Sequence, residues 1–170
     1  MATMRELTPM RLDDLDRAPV QIRGDAHVAA TPDAIFDELR DPSLWFPMMR
    51  RSVWHTGATS GVGAIRDVDI AMLGAFRERM VVWDPGARCA FAMTATSSPL
   101  VEQMAEDWRM ARDGDGTRVS YLIAAQLVPR ARALAMPMKL LTGRLFAIGF
   151  RRLTKRARWS INLEHGTQGL

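Results

Sequence analysis

Between Arg51 and about Ala133 no part of the chain keeps a helical spacing of apolar residues. Instead, alternating segments are cut at short intervals by Gly57 to Gly63, Leu73-Gly74, Asp84-Pro85-Gly86, Ser97-Ser98-Pro99 and Asp113-Gly114-Asp115-Gly116. Gly and Asp accept the backbone conformations that tight hairpins demand, so each interruption predicts a turn. The segments between them are predicted strands: Val53 to His55, Ala64 to Met72, Phe76 to Trp83, Arg88 to Ala95, Val101 to Arg112 and Thr117 to Val128. Strands joined by such short links must run antiparallel, as a meander.

The flanks of the meander differ. Val20, Ile22, Gly24, Ala26 and Val28 alternate with polar residues, which predicts a half-buried first strand. Thr31-Pro32-Asp33 then sets a capping hydroxyl before a proline at the first helical position, followed by Ala34, Ile35, Glu38 and Leu39 at helical spacing. Asp41-Pro42 stops this helix, and Ser43 to Met49 forms a second short helical or irregular piece. The last predicted element is a helix from about Ala133 to Leu163. Met138, Leu141, Leu145, Ile148, Gly149 and Leu153 fall along one side of it, and its other side is basic. Gly143 and Gly149 each cost about 1 kcal/mol in a helix interior, which implies a need for close approach or empty space. Arg152 and Arg156 interrupt the apolar stripe, so the final turns are expected to run past the sheet.

The order is strand, two short helices, six strands, long helix: an α+β chain. At 170 residues, with 48% hydrophobic and 25% charged residues, it supports one packed domain without staples. Residues 1–17 read as a flexible extension and 18–165 as the domain. The single cysteine, Cys89, forbids an intrachain disulfide and a thiolate cluster, and points to the cytoplasm. Charges at Arg5, Glu6, Arg11, Asp13, Asp14, Asp16 and Arg17 break the apolar run a signal peptide needs. No uncharged stretch approaches the roughly 20 residues of a membrane span. The net charge of +4 lies mostly in Arg144, Arg151, Arg152, Lys155, Arg156 and Arg158. A solvated helix face explains that segment most simply. Nucleic acid is disfavoured as a partner, and peripheral contact with a membrane stays open.

The corners of this arrangement carry a resemblance. Ala30-Thr31-Pro32-Asp33 stands before Ile35-Phe36, with Asp41, Trp45 and Pro47 after them. Gly61-Val62-Gly63-Ala64 with Arg66, then Glu78, Trp83-Asp84-Pro85 and Asp115-Gly116-Thr117-Arg118-Val119 complete the set. In combination these resemble the START-like or helix-grip (SRPBCC) superfamily, polyketide cyclase/dehydrase-like branch, over roughly Val20 to Trp159. The resemblance implies a seven-stranded curved antiparallel sheet wrapped around the C-terminal helix, with a cavity between them for a lipid, polyketide or similar ligand. Family members range from carriers to cyclases without one shared catalytic motif, so fold likeness selects no chemistry.

Alternation puts Arg66 on the face of Val68 and Ile70, and Glu78 on that of Met80 and Val82. Two inward charges must pair or meet a polar group of a ligand, and a fixed ion pair or exposed rim pair is the plainer reading. Met104, Glu106, Trp108 and Met110 share one face, as do Val119, Tyr121, Ile123, Ala125 and Leu127 on the next strand. Trp108 and Tyr121 are candidate cavity walls, with core packing as the alternative. Glu106 is a candidate general acid or base if it faces inward, and a solvated strand end otherwise. The methionines, Met93, Met104, Met110, Met136 and Met138 among them, suit an adaptable apolar cavity or plain gap-filling.

Two motifs are set aside. Thr56-Gly57-Ala58-Thr59-Ser60-Gly61-Val62-Gly63 matches the phosphate loop of short-chain dehydrogenases. Such a loop needs a helix after it, whereas Ala64 to Met72 alternates like a strand, and the Tyr-x-x-x-Lys of those enzymes is missing. His27, His55 and His165 lack metal-site spacing. No cofactor and no metal are expected, and Cys89 reads as a small buried hydrophobe.

The expected function is reversible binding of a small hydrophobic molecule by Arg66, Glu78, Trp108, Tyr121, Met138, Leu141 and Leu145. The alternative is a cyclase or dehydratase using the same cavity, with Glu78, Glu106 or Tyr121 moving protons without a metal. A third reading is an interaction protein that contacts a membrane or nucleic acid through its basic helix. Oligomeric state is left open.

Overall fold

The computed structural model describes residues 3–55 and 60–166, with side chains through residue 157. Thr56 to Thr59 of the phosphate-loop match, and the side chains of Arg158, Trp159 and His165, fall outside the described residues. Strand β1 (Arg5–Glu6) and a 3-10 turn (Leu12–Arg17) precede β2 (Val20–Val28), α1 (Pro32–Arg40) and a second 3-10 turn (Pro42–Leu44). Then follow β3 (Met49–Trp54), β4 (Ile65–Ile70), β5 (Gly74–Asp84), β6 (Arg88–Thr96), β7 (Val101–Asp113) and β8 (Gly116–Leu127). A 3-10 turn (Pro129–Leu134) leads into α2 (Ala135–Gly166).

The strands form one antiparallel sheet in the order β2-β8-β7-β6-β5-β4-β3, with β1 paired to β6 off that path. The sheet curves around α2 in the helix-grip arrangement expected from the sequence, and β4 rather than a helix follows Gly63. Local chemistry accounts for the corners. The Thr31 hydroxyl accepts the Ala34 amide at 3.3 Å and caps α1, and the Asp41 carboxylate accepts the Ser43 amide at 3.1 Å. The Trp45 indole then donates to the Glu38 carbonyl at 2.7 Å, folding the loop back onto α1.

The N-terminal segment corrects the sequence reading: residues 3–17 pack on the sheet. The β6–β7 ladder runs from Arg88↔Arg109 to Ala92↔Ala105, and beyond it β1 takes the freed edge of β6, pairing Arg5 with Thr96 and Glu6 with Ala95. Arg5 also donates to the Val101 carbonyl of β7, closing the wedge from the other side. The chain then crosses the outer face, where Met10 and Leu15 pack on Ala92, Ala105 and Ala124. These three alanines are cross-strand neighbours, so they form a flat apolar platform. Burying it on the convex face completes a second small core.

The helix also departs from expectation. Its buried face is Phe146, Gly149, Leu153 and Ala157, while Leu141 and Ile148 of the anticipated stripe are 47% and 45% exposed. Gly149 sets this rotation: a β-carbon there would lie 3.1 Å from Pro47, 3.2 Å from Phe46 and 3.3 Å from Trp45. Glycine is what allows the helix so close to the Trp45-Phe46-Pro47 loop. Gly143, by contrast, faces open space. The later turns stay docked on α1, where Arg156 donates to Glu38 at 2.7 Å. By length and composition Pro129–Ala157 is long and apolar enough to cross a membrane.

Candidate functional site

Cross-strand register builds the inner wall in rows. Tyr121 sits opposite Trp108, and Trp108 opposite Cys89. One row on, Ile123, Glu106 and Phe91 lie side by side, and Glu78 faces both Arg66 and Met93. The strands therefore direct Arg66, Glu78 and Glu106 into the concave side, where all three are buried. A register shift between Met80 and Val82 ends the alternation of β5 there.

Arg66 and Glu78 are a fixed internal pair. Arg66 Nε donates to Glu78 Oε2 at 2.6 Å, and the same guanidinium reaches the Leu39 and Arg40 carbonyls at 2.9 and 3.0 Å. Those carbonyls end α1, so the cation also meets the negative end of that helix. The Trp54 and Phe91 rings flank it at 5.1 and 5.4 Å. Burial raises the Glu78 carboxyl pKa, and the Arg66 charge and hydrogen bond offset part of that rise.

Glu106 has no such partner. Among the described residues its one side-chain hydrogen bond is from the Trp108 indole to Oε2 at 3.0 Å. Burial first, and the nearby Glu78 charge second, push its pKa up to about 8. Near neutral pH Glu106 is therefore held as the carboxylic acid beside the Arg66–Glu78 pair. Burial likewise raises the Tyr121 phenol, with the Glu106 charge contributing, and takes the Cys89 thiol up to about 12. Cys89 is thus inert, as a buried small hydrophobe should be.

Two adjoining apolar cavities occupy the interior. The smaller, about 40 Å³, is bordered by Arg66, Glu78, Phe91, Met93 and Trp108. The larger, about 80 Å³, runs from Ile22 and Ile123 to Met138 and Thr142 of α2, and reaches the surface at Met72. Phe46, Phe76, Met104, Glu106 and Phe146 border both. Glu106 therefore stands at the junction, beside the Phe46–Phe146 contact, whose ring centroids are 4.7 Å apart.

Of the residues singled out in the sequence, Arg66, Glu78, Glu106, Trp108 and Met138 converge on these cavities. Tyr121 borders neither. Its ring stacks on Trp108 at 4.7 Å and passes over Gly24, where a β-carbon would lie 2.2 Å from it. Leu145 is half-buried against the core without reaching a cavity, and Leu141 points outward, so neither lines the site. Phe46 and Phe146 were missed. Phe146 lies one position from the anticipated stripe, and its role follows from the helix rotation that Gly149 permits.

Among the described residues no group of three or more His, Cys, Asp or Glu side chains is placed to hold a metal ion. His55 pairs with Asp67 at 2.5 Å, and His27 lies 2.9 Å from the Asp113 carbonyl.

Comparison with known proteins fits this geometry. The profile of the family described as polyketide cyclase / dehydrase and lipid transport matches residues 19–158. An uncharacterised protein of Mycobacterium tuberculosis is 28% identical over 145 residues, covering 82% of this chain and 87% of its own. The fold is similar to that of the Zhui aromatase/cyclase from a Streptomyces species, with a TM-score of 0.66, 15% identity and coverage of 94% and 96% of the two chains. It also resembles the di-domain ARO/CYC StfQ from the steffimycin biosynthetic pathway, with a TM-score of 0.71 and 14% identity, covering 84% of this chain and 52% of that one.

Proposed function

The chain belongs to the polyketide cyclase/dehydrase and lipid transport family, and from that premise we propose that it binds a small, largely apolar molecule bearing a carbonyl or similar acceptor. The ligand occupies the joined cavities between sheet and α2. The observation that carries this is Glu106: a buried acid, held neutral near pH 7, at the point where both cavities meet. A protonated carboxyl in an apolar wall donates one strong, oriented hydrogen bond, and apolar burial supplies most of the affinity. Arg66 and Glu78 form the floor of the smaller cavity and hold α1 in place. They are occupied with each other, so their part in binding is to keep the wall rigid and its charge balanced.

Cavities of about 40 and 80 Å³ are below the roughly 300 Å³ at which ligand pockets begin. Binding of a polyketide or lipid therefore requires Phe46, Phe146 and Met104 to swing aside. Two of these are rings without polar anchors and the third is an unbranched thioether, so the partition can open without breaking a hydrogen bond.

The same position of Glu106 favours a second reading, an enzyme of cyclase or dehydratase type. A carboxyl with a pKa of about 8 can give a proton to a ligand carbonyl or departing hydroxyl near neutral pH and take one back. The reading of a cytoplasmic protein continues to rest on the lone Cys89. Native mass spectrometry of the purified protein, combined with titration of an apolar naphthylamine fluorophore, tests binding. A co-purified small molecule, or saturable blue-shifted emission that Glu106→Leu alters, supports it. Neither signal in the folded protein rejects it. Turnover of a model poly-β-ketone thioester that disappears in Glu106→Gln selects the enzyme.

A further inference from the structure

The outer face of α2 is unusual for a helix that closes a core. Met136, Leu140, Leu141 and Ile148 are 64%, 62%, 47% and 45% exposed, and Leu134 just before the helix is 44% exposed. Only 11% of the most apolar window of Pro129–Ala157 is buried. On a helical projection these side chains share the solvent side with Arg144, Arg151, Arg152 and Lys155. The apolar residues lie in the first half and the cations gather in the second. No Asp or Glu occurs between Asp115 and Glu164, so Lys and Arg alone carry the charge of this stretch.

A second exposed apolar residue stands at the cavity mouth. Met72, at the β4–β5 turn, is 85% exposed and has a backbone φ of 68°. Left-handed backbone is uncommon for any residue but glycine or asparagine, so a large apolar side chain there is held against the local preference. Met72 and Met138 border the same cavity from opposite elements.

We propose that this face, from Leu134 to Ile148 on the α2 side with Met72 opposite, docks on the surface of an anionic phospholipid bilayer, the cations of α2 lying over the headgroups. A helix that presents exposed apolar side chains and purely basic charge along one side binds in this way, adding hydrocarbon burial to charge attraction. Long Lys and Arg side chains reach the headgroups while their stems stay apolar. A second copy of the chain is a poor occupant, because two such faces would set cation against cation with no acid to answer. A nucleic acid would satisfy the cations and leave Met136, Leu140, Leu141 and Ile148 without apolar contact. The helix does not span the bilayer: Phe146, Leu153 and Ala157 fasten its other side to the protein. Docking would bring the Met72–Met138 opening to the lipid surface. Passage of a ligand between bilayer and cavity additionally rests on the proposed function, and docking itself does not.

Sedimentation of the full chain with vesicles tests the docking alone. Binding is expected to equimolar phosphatidylserine and phosphatidylcholine, weak to phosphatidylcholine, and reduced by high salt. Leu140→Ser with Ile148→Ser should lower binding about tenfold or more while the melting temperature holds, since both side chains are exposed. Arg144→Gln with Arg151→Gln should lower it about as much and flatten the salt dependence. Absence of binding to the anionic vesicles overturns the proposal. So does vesicle binding unchanged in Leu140→Ser with Ile148→Ser, a concentration-dependent dimer that this variant abolishes, or retention by RNA but not by vesicles.

Discussion

Arg66 Nε and Glu78 Oε2 are 2.6 Å apart in the interior, with side-chain exposures of 3% and 5%. The same guanidinium closes the last carbonyls of α1, so one cation joins two strands and a helix end. Removing one member of such a pair leaves a buried charge without its partner. Arg66→Met is expected to cost about 3 to 5 kcal/mol in urea denaturation. The double variant with Glu78→Gln should recover part of the loss, because no bare carboxylate then remains. An exposed rim pair would give about 1 kcal/mol or less and no such recovery.

Glu106 makes stability depend on pH in a stated direction. Its carboxyl rises from an ordinary 4.5 to about 8 in the fold. Between those values the folded chain keeps a proton that the unfolded chain has released, so stability falls as pH rises through that window. Below it, both states are protonated and the full stability is present. Glu106→Gln keeps an acceptor for the Trp108 indole and removes the titration. Its unfolding free energy should change less over the window, with a gap from the parent of several kcal/mol at the alkaline end. Glu78, raised by burial as well, leaves a residual slope of the same sign.

The pattern of turns and alternation was sufficient for the sheet, because period-two burial and Gly- or Asp-bearing turns are local signals. Val20–Val28 matches to the residue; alternation offers an inward position for Arg66 and Glu78 beside that of an exposed rim pair, and leaves Glu106 open between the interior and a solvated strand end. The helix face was not legible in the same way. α2 carries apolar residues on both sides, so periodicity offers two stripes, and the contact of Gly149 with Phe46 and Pro47 decides between them. That contact joins residues about a hundred positions apart and leaves no local mark. The N-terminal segment was misread for a related reason. Its charges suggested solvent, while its docking depends on Ala92, Ala105 and Ala124 lying abreast on three strands, a relation that exists only once the register is set.

The Phe46–Phe146 partition gives opposite effects on stability and uptake. Phe146 contacts Phe46, Trp108 and Tyr121 with ring centroids at 4.7, 6.2 and 5.7 Å. Phe146→Leu removes these ring contacts and enlarges the space beside Glu106. It should cost about 1 to 3 kcal/mol by chemical denaturation. Affinity for a bulky apolar fluorophore should nevertheless rise, because the two cavities merge. A loss of stability with unchanged affinity would mean that the partition does not limit entry.

The N-terminal segment should behave as part of the fold. Leu15 is 2% exposed and packs with Met10, and with Leu12 and Ala18 beside them, against the alanine platform. Leu15→Ala is expected to cost about 2 to 4 kcal/mol, the ordinary range for a large-to-small change in a packed site. Deletion of residues 1–17 removes β1 as well, leaving the outer edge of β6 open at Thr94 to Thr96 and the alanines in water. An uncovered strand edge beside an apolar patch invites pairing with another chain. The truncated protein should therefore melt at lower temperature and self-associate in light scattering, whereas removal of a loose tail would change neither.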